Sequence, residues 1–128
     1  MTESDTDRIE RGRAFAQKLN PEGSRAMIGP LRSVAPDFER LVLGSVIADI
    51  WDRDRLSLRE RIIIRLAVVA ALGEAESATQ TVIGTALNNG LSSEDIAEVF
   101  VQTSPQVGII RVISALEALS RHPDPAGS

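Results

Sequence analysis

The sequence contains no cysteine and a single histidine, and these two shortages exclude several kinds of site. Without cysteine there can be no disulfide, no thiolate nucleophile and no cysteine-based metal site. One histidine cannot build a metal site of several histidines. That residue, His122, stands just before two prolines and a glycine, which predicts a position in a frayed C-terminal tail, not in a catalytic triad. We therefore expect neither a metal nor an organic cofactor.

Aromatic residues, basic segments and long apolar runs are also scarce. Three Phe, one Trp and no Tyr offer few surfaces on which bases could stack, and the formal net charge is −4 with no separate basic cluster. The longest apolar run, residues 66–72, is too short to span a bilayer. The N-terminal "MTESDTDRIERGR" has no apolar stretch typical of a signal peptide. We expect a cytoplasmic protein that binds neither nucleic acid nor membrane.

Helical signals dominate what remains. "SLRE" at Ser57 and "SSED" around Ser92 and Asp95 are capping patterns, and Gly73 and the pair Asn89-Gly90 are typical helix stops. The segment between Asn20-Pro21 and Pro30 is poorly defined, and "SPQVG" at 104–108 is a break. These patterns predict an all-α fold of six or seven helices, with one domain over residues 1–121 and a disordered tail over 122–128.

Two of the predicted helices are apolar on more than one side. They lie in "DFERLVLGSVIADIW" and "RIIIRLAVVAAL". A domain of 128 residues buries a limited fraction of its surface, so the remaining apolar faces predict contacts with other subunits. We expect a symmetric homo-oligomer.

Three segments together resemble the carboxymuconolactone decarboxylase family, which is related to the alkylhydroperoxidase D-type proteins. They are "IADIWDRDRLSLRERIIIRLAVVAAL", "GTALNNGLSSEDIAEVFVQ" and the glycine of "QVG". The resemblance covers roughly Arg8 to Arg121. It implies a helical trimer or hexamer with small-molecule pockets between helices and subunits. It also implies either decarboxylation of a small lactone without a cofactor or peroxidase chemistry through a Cys-x-x-Cys pair and a histidine.

The reactive positions of that family are substituted in this chain. Its members place a histidine about four residues before the alanine of "ALNNG" and a glutamate one turn earlier. Counting back from Ala86 gives Val82 and Ala78, and a slip of one residue gives Thr81 and Ser77. Thiol peroxidase chemistry is excluded because it needs a thiolate. Ordinary decarboxylation lacks its usual proton carrier.

Three residues are the candidates for catalysis. Gln102, which matches the family pattern, and Thr81 could orient a carboxylate, lactone or enol by hydrogen bonding. Glu76 is the carboxylate just before the predicted hairpin, where burial would raise its pKa, although an exposed glutamate in a first helical turn is the simpler interpretation. For the two neutral residues the simpler interpretation is a polar contact satisfied by backbone or water.

Five further residues are candidates for substrate binding. Gln80 could donate or accept a hydrogen bond, Gln106 replaces an aromatic residue of the family, and Trp51 could line a pocket or pack in the core. Arg65 and Arg111 could each clamp a substrate carboxylate. For Arg65, a salt bridge between subunits to a residue such as Asp49 or Glu98 is the alternative.

Two functions follow from these observations. The first is a cofactor-free enzyme acting on a compact, possibly acidic metabolite through a lyase, isomerase or cyclase-type step. The second is a non-catalytic oligomer that binds a metabolite or a partner protein. Retained pocket architecture favours the first, and the missing histidine favours the second.

Overall fold

The structure is a computed structural model in which residues 2–73 and 76–123 are described. Within these ranges it contains eight α-helices, one π-helix and no strand, so the predicted all-α class is confirmed. The bounds are α1 Asp5–Leu19, α2 Pro21–Val34, α3 Pro36–Leu41, the π-helix Val42–Trp51, α4 Leu58–Leu72, α5 Glu76–Asn88, α6 Ser93–Gln102, α7 Ser104–Val107 and α8 Ile109–Arg121.

The chain divides into two compact units, Met1–Leu56 and Ser57–Ser128. We expected one domain over residues 1–121. The division falls in the charged break between the π-helix and α4, where the sequence reads "WDRDRL". In neither range of described residues is a helix both long and apolar enough to cross a membrane.

In the first unit, α1 packs directly against the π-helix. A Cβ at Gly12 would lie 1.9 Å from the backbone oxygen of Leu43, so only glycine permits this approach. Arg8 Nη1 donates to Asp49 Oδ2 at 2.9 Å, and Arg11 Nη1 donates to Asp52 Oδ2 at the same distance. Hydrogen bonds from Arg11 to Glu3 and Asp52 raise the pKa of its guanidinium. These contacts fix the N-terminal helix to the apolar helix. The buried residues of this core are Ile9, Ala16, Ile28, Leu43 and Ile47.

The second unit begins with the predicted central helix, α4. Ser57 Oγ accepts from the Glu60 amide, and Glu60 Oε1 accepts from the Ser57 amide, so the predicted capping box is confirmed. The helix ends at Gly73, whose φ of 65° lies in the left-handed region that favours glycine. The second predicted cap, formed by Ser92 and Asp95, opens α6 in the same way.

Helices α5, α6 and α8 each pack against α4 and supply the rest of the second core. Because three helices pack against it, α4 is the central helix of this unit. The side chains of this core that are 2% or less exposed come from α4, α5 and α6. They are Ile62, Leu66, Ile83, Ala86, Ile96 and Phe100.

Two short regions differ from the prediction. The poorly defined segment is part of helix α2, because Asn20 Oδ1 caps it by accepting from the Gly23 amide and Pro21 occupies its first turn. The break at 104–108 contains the single helical turn α7 and ends at Gly108 with a φ of 90°. These helices raise the number above the six or seven expected.

Candidate functional site

An open groove runs between α4 and the α6–α7 segment. Its volume is about 550 Å³, and its lining is largely apolar. Helix α4 lines one wall, and α6, Thr103 and α7 line the other. The apolar residues are Ile63, Ala67, Val68, Ala71, Val99 and Val107. Ile63, Val99 and Val107 also pack against the second core, so the groove lies directly above it.

The polar residues of the groove all belong to the α6–α7 wall. They are Glu98, Gln102, Thr103 and Gln106. Glu98 and Gln102 lie one helical turn apart, and Gln102 Nε2 donates to Glu98 Oε2 at 2.7 Å. Thr103 Oγ1 donates to the Phe100 carbonyl at 2.6 Å. Two of the predicted site residues, Gln102 and Gln106, therefore lie in one groove beside a carboxylate.

A second polar region joins the start of α5 to the end of α8. We call Glu76, Gln80, Arg121 and His122 the polar cluster. Arg121 Nε donates to Glu76 Oε1 at 2.6 Å, and Gln80 Nε2 donates to the Ala118 carbonyl at 2.7 Å and to Glu76 Oε1 at 3.3 Å. A hydrogen bond from Arg121, and to a smaller extent one from Gln80, lowers the pKa of Glu76. Glu76 is exposed, which agrees with the simpler of the two interpretations given above.

His122 belongs to this cluster and not to a frayed tail. It is half-buried, and its Nδ1 lies 2.5 Å from Oε1 of Gln80. Because the Gln80 amide group donates to the Ala118 carbonyl, its oxygen is the acceptor, and His122 must donate through Nδ1. The remaining part of the predicted tail, residues 124–128, lies outside the described residues.

A small cavity adjoins the polar cluster. Its volume is about 60 Å³, and the polar residues in its lining are Glu76, Thr79, Arg111, Ser114 and Arg121. Arg111 lies against Gly73, where an added Cβ would be 2.5 Å from Arg111 Nη1. This cavity therefore has charged groups but room for little more than water. It brings together Glu76 and Arg111, while Gln80 lies beside it in the cluster.

The other three predicted residues are not in the lining of either space. Thr81 Oγ1 donates to the Ser77 carbonyl at 3.0 Å, a bond within its own helix. Trp51 is half-buried and packs against the core of the first unit. Burial lowers the pKa of the Arg65 guanidinium to about 10, which leaves it cationic at neutral pH. The predicted roles of these residues in catalysis and binding stay predictions.

The positions where the resemblance expects histidine and glutamate hold no reactive group. Val82 is buried in the second core, and Ala78 is exposed on α5. In the alternative alignment, Ser77 is exposed and Thr81 is half-buried. Neither pair lines the groove.

Glu98 and Thr103 are polar residues of the groove that are not among the predicted site residues. The sequence suggests Glu98 only as a possible salt-bridge partner of Arg65. The position of Glu98 one turn before Gln102 was a signal that could have identified it, because residues four apart share a helix face. Within residues 2–73 and 76–123, no group of three histidine, aspartate or glutamate side chains could hold a metal ion.

Residues 36–121 match the model of the carboxymuconolactone decarboxylase family, which covers more than half of the chain. The search of curated proteins finds no match.

Proposed function

This chain belongs to the carboxymuconolactone decarboxylase family, and on that premise we propose that it is a cofactor-free enzyme with altered chemistry. Its reaction is a lyase, isomerase or cyclase-type step on a compact metabolite. The groove between α4 and α6–α7 is the substrate site, and Glu98 exchanges a proton with the substrate. The observation that carries this proposal is a carboxylate, held by Gln102, on the wall of an apolar groove.

The chemistry of the groove supports this role for Glu98. Glu98 is a carboxylate on the groove wall, so a substrate that fills the groove lies within reach of it. A positioned carboxylate can accept a proton from a substrate and return it. Gln102 fixes the carboxylate by donating to one of its oxygens, so the group is already oriented when the substrate arrives.

The remaining predicted residues have separate parts in this proposal. Gln106 lines the groove and is available to bind the substrate. Glu76 and Gln80 belong to the polar cluster, and Arg111 lies beside it. We assign these three residues a structural role, which is to hold α5 and α8 together. Substrate binding and proton exchange then take place without metal or organic cofactor, in the cytoplasm.

We also propose that the protein is a homo-oligomer, a trimer or hexamer. Exposed apolar residues on α4 outside the groove lining support this, since Ile64 is 49% exposed and Leu72 is 59% exposed. Light scattering after gel filtration would measure the mass of the particle in solution. A stable particle of 13.8 kDa at micromolar concentration would contradict the oligomer.

The enzymatic proposal is tested by a metabolite screen followed by substitution. The protein is incubated with pooled metabolites, and mass spectrometry identifies any compound that is consumed and its product. Glu98→Gln should then lower turnover of that compound by at least about 100-fold, the usual contribution of a general acid or base. Glu94→Gln is the matched control, because Glu94 is exposed on the same helix and does not line the groove. Full turnover by the Glu98→Gln variant would contradict the role of Glu98.

A non-catalytic binding protein is the second candidate. It is supported by Val82 and Ala78 at the positions where the resemblance expects the proton carrier. A compound that is retained by the protein and recovered unchanged, with no product for any pooled metabolite, would favour binding over catalysis.

A further inference from the structure

From the polar atoms of the groove, we infer that its ligand carries no negative charge and donates a hydrogen bond from an otherwise apolar body. This inference rests on the groove being the site of the proposed function, and it names the class of substrate. It departs from our expectation of a possibly acidic metabolite.

The charge of the groove is the first argument. Among the described residues that line it, Glu98 is the only charged one. Glu98 accepts a hydrogen bond from Gln102, an uncharged side chain that does not compensate the carboxylate. A bound carboxylate would therefore lie beside a like charge with no cation in the lining to offset the repulsion.

The hydrogen-bonding capacity of the groove is the second argument. Because Gln102 Nε2 donates to Glu98, the Gln102 oxygen is left to accept. Thr103 directs its hydroxyl proton to the Phe100 carbonyl, so its oxygen can also only accept. Among the lining side chains, donors that do not break these bonds come only from the second Nε2 hydrogen of Gln102 and from Gln106. Glu98, Gln102 and Thr103 can each accept from a ligand that donates an O–H or N–H.

The arginines expected to clamp a carboxylate lie elsewhere. Arg111 lines the small cavity beside the polar cluster. Arg65 is on α4 but is not among the residues that line the groove. The two arginines proposed as carboxylate clamps therefore supply no cation to the groove lining.

The experiment compares three probes with the same apolar ring and different polar groups. They are cyclohexylmethanol, cyclohexylmethylammonium and cyclohexanecarboxylate, each titrated into the ¹⁵N-labelled full chain at neutral pH. We expect the alcohol and the ammonium to shift the amide signals of Val68, Val99 and Gln102. The carboxylate should bind about tenfold more weakly than the alcohol, the scale of a partly screened like-charge contact.

A charge-neutral variant separates electrostatics from shape. Glu98→Gln should bring the affinities of alcohol and carboxylate to within about twofold, because it removes the like charge and keeps the volume of the side chain. The control variant Glu94→Gln should keep the preference of the unmodified protein. Added salt should also reduce the preference in the unmodified protein.

Three results would overturn the inference. They are carboxylate binding in the groove as tightly as the alcohol, a preference unchanged in Glu98→Gln, and no groove signal shifted by any probe. The last would mean that another occupant, such as a second copy of the chain, covers the groove. Failure of the enzymatic proposal is distinguishable: probes that bind with the expected preference while no metabolite is converted would leave the ligand class intact and remove the catalysis.

Discussion

The groove and the polar cluster lie in the same unit of the protein and have opposite properties. The groove has a volume of about 550 Å³, and among the described residues that line it Glu98 is the one that carries a charge. The cavity beside the cluster has about 60 Å³ and is lined by Glu76, Arg111 and Arg121. The cluster also uses its polar groups internally, since Glu76 accepts from Arg121 and Gln80 caps a carbonyl of α8.

This difference shows why charged side chains alone do not locate a site. Polar groups that are paired with one another at a helix end stabilise the fold and leave little capacity for a ligand. A single carboxylate on an apolar wall has fewer partners, but it faces a space that a molecule can occupy. We therefore place binding in the groove and a structural role in the cluster.

The largest loss of stability should come from a substitution in the core beneath the groove. Phe100 is fully buried and lies on the helix that carries Glu98 and Gln102. Phe100→Ala should lower the free energy of unfolding by about 3–5 kcal/mol because it removes a large side chain and leaves a cavity. Urea unfolding would measure this. Val101→Ala is the control, since Val101 is 45% exposed, and an equal loss there would contradict a rigidly packed groove wall.

A substitution at Gly73 tests how closely Arg111 packs beside the polar cluster. Gly73→Ala should cost about 1–2 kcal/mol, because an alanine in the left-handed region is strained. The added methyl group also has to displace the Arg111 guanidinium. The matched control is the same substitution in an Arg111→Ala background, which removes the guanidinium and leaves the backbone strain in place. An equal loss with and without Arg111 in urea unfolding would contradict crowding by Arg111.

Substitutions of two glutamines should distinguish the polar cluster from the groove. Gln80→Ala should lower the free energy of unfolding by about 1 kcal/mol, since it leaves the Ala118 carbonyl at the end of α8 without its donor. Gln102→Ala removes only an exposed side-chain bond to Glu98 and should cost less than about 0.5 kcal/mol. Thermal or urea unfolding of both variants checks this, and the reverse order would contradict our assignment of the two regions.

The smallest effect should appear in the pH dependence of the stability that the Glu76–Arg121 ion pair contributes. The pKa of Glu76 lies below its ordinary value of 4.5, so its ion pair stabilises the folded state above pH 4.5. That contribution should be lost as the pH falls below 4.5 through the folded-state pKa. The difference in unfolding free energy between the protein and Glu76→Gln should therefore shrink in acid. A difference that stays constant with pH would contradict the pairing with Arg121.

Much of the fold could be predicted because its signals are local. The cap residues Ser57 and Ser92 and the stop at Gly73 each act within one helical turn, and all three lie where the sequence placed them. Helix α2 was missed because two glycines and an internal proline make its sequence resemble a loop. Its start depends on the Asn20 cap, and its burial depends on Ile28 packing into the first core.

The site could be predicted only in part because its shape depends on packing between helices. Gln102 and Gln106 were selected from the family pattern and do lie in the groove. Glu98 was not selected, since nothing in the sequence shows that α6 presents it to a space beside α4. Glu76 and Gln80 were chosen for their chemistry, but whether their polar atoms are occupied depends on contacts with α8 that are about 40 residues away in sequence.

A crystal structure of the protein with a bound metabolite or probe would test the central claim most directly. We predict density for the ligand between Ala67 and Val99, with its donor within hydrogen-bonding distance of Gln102 or Glu98. Ligand density beside Glu76 and Arg111, or a groove filled by side chains of another copy, would contradict the account.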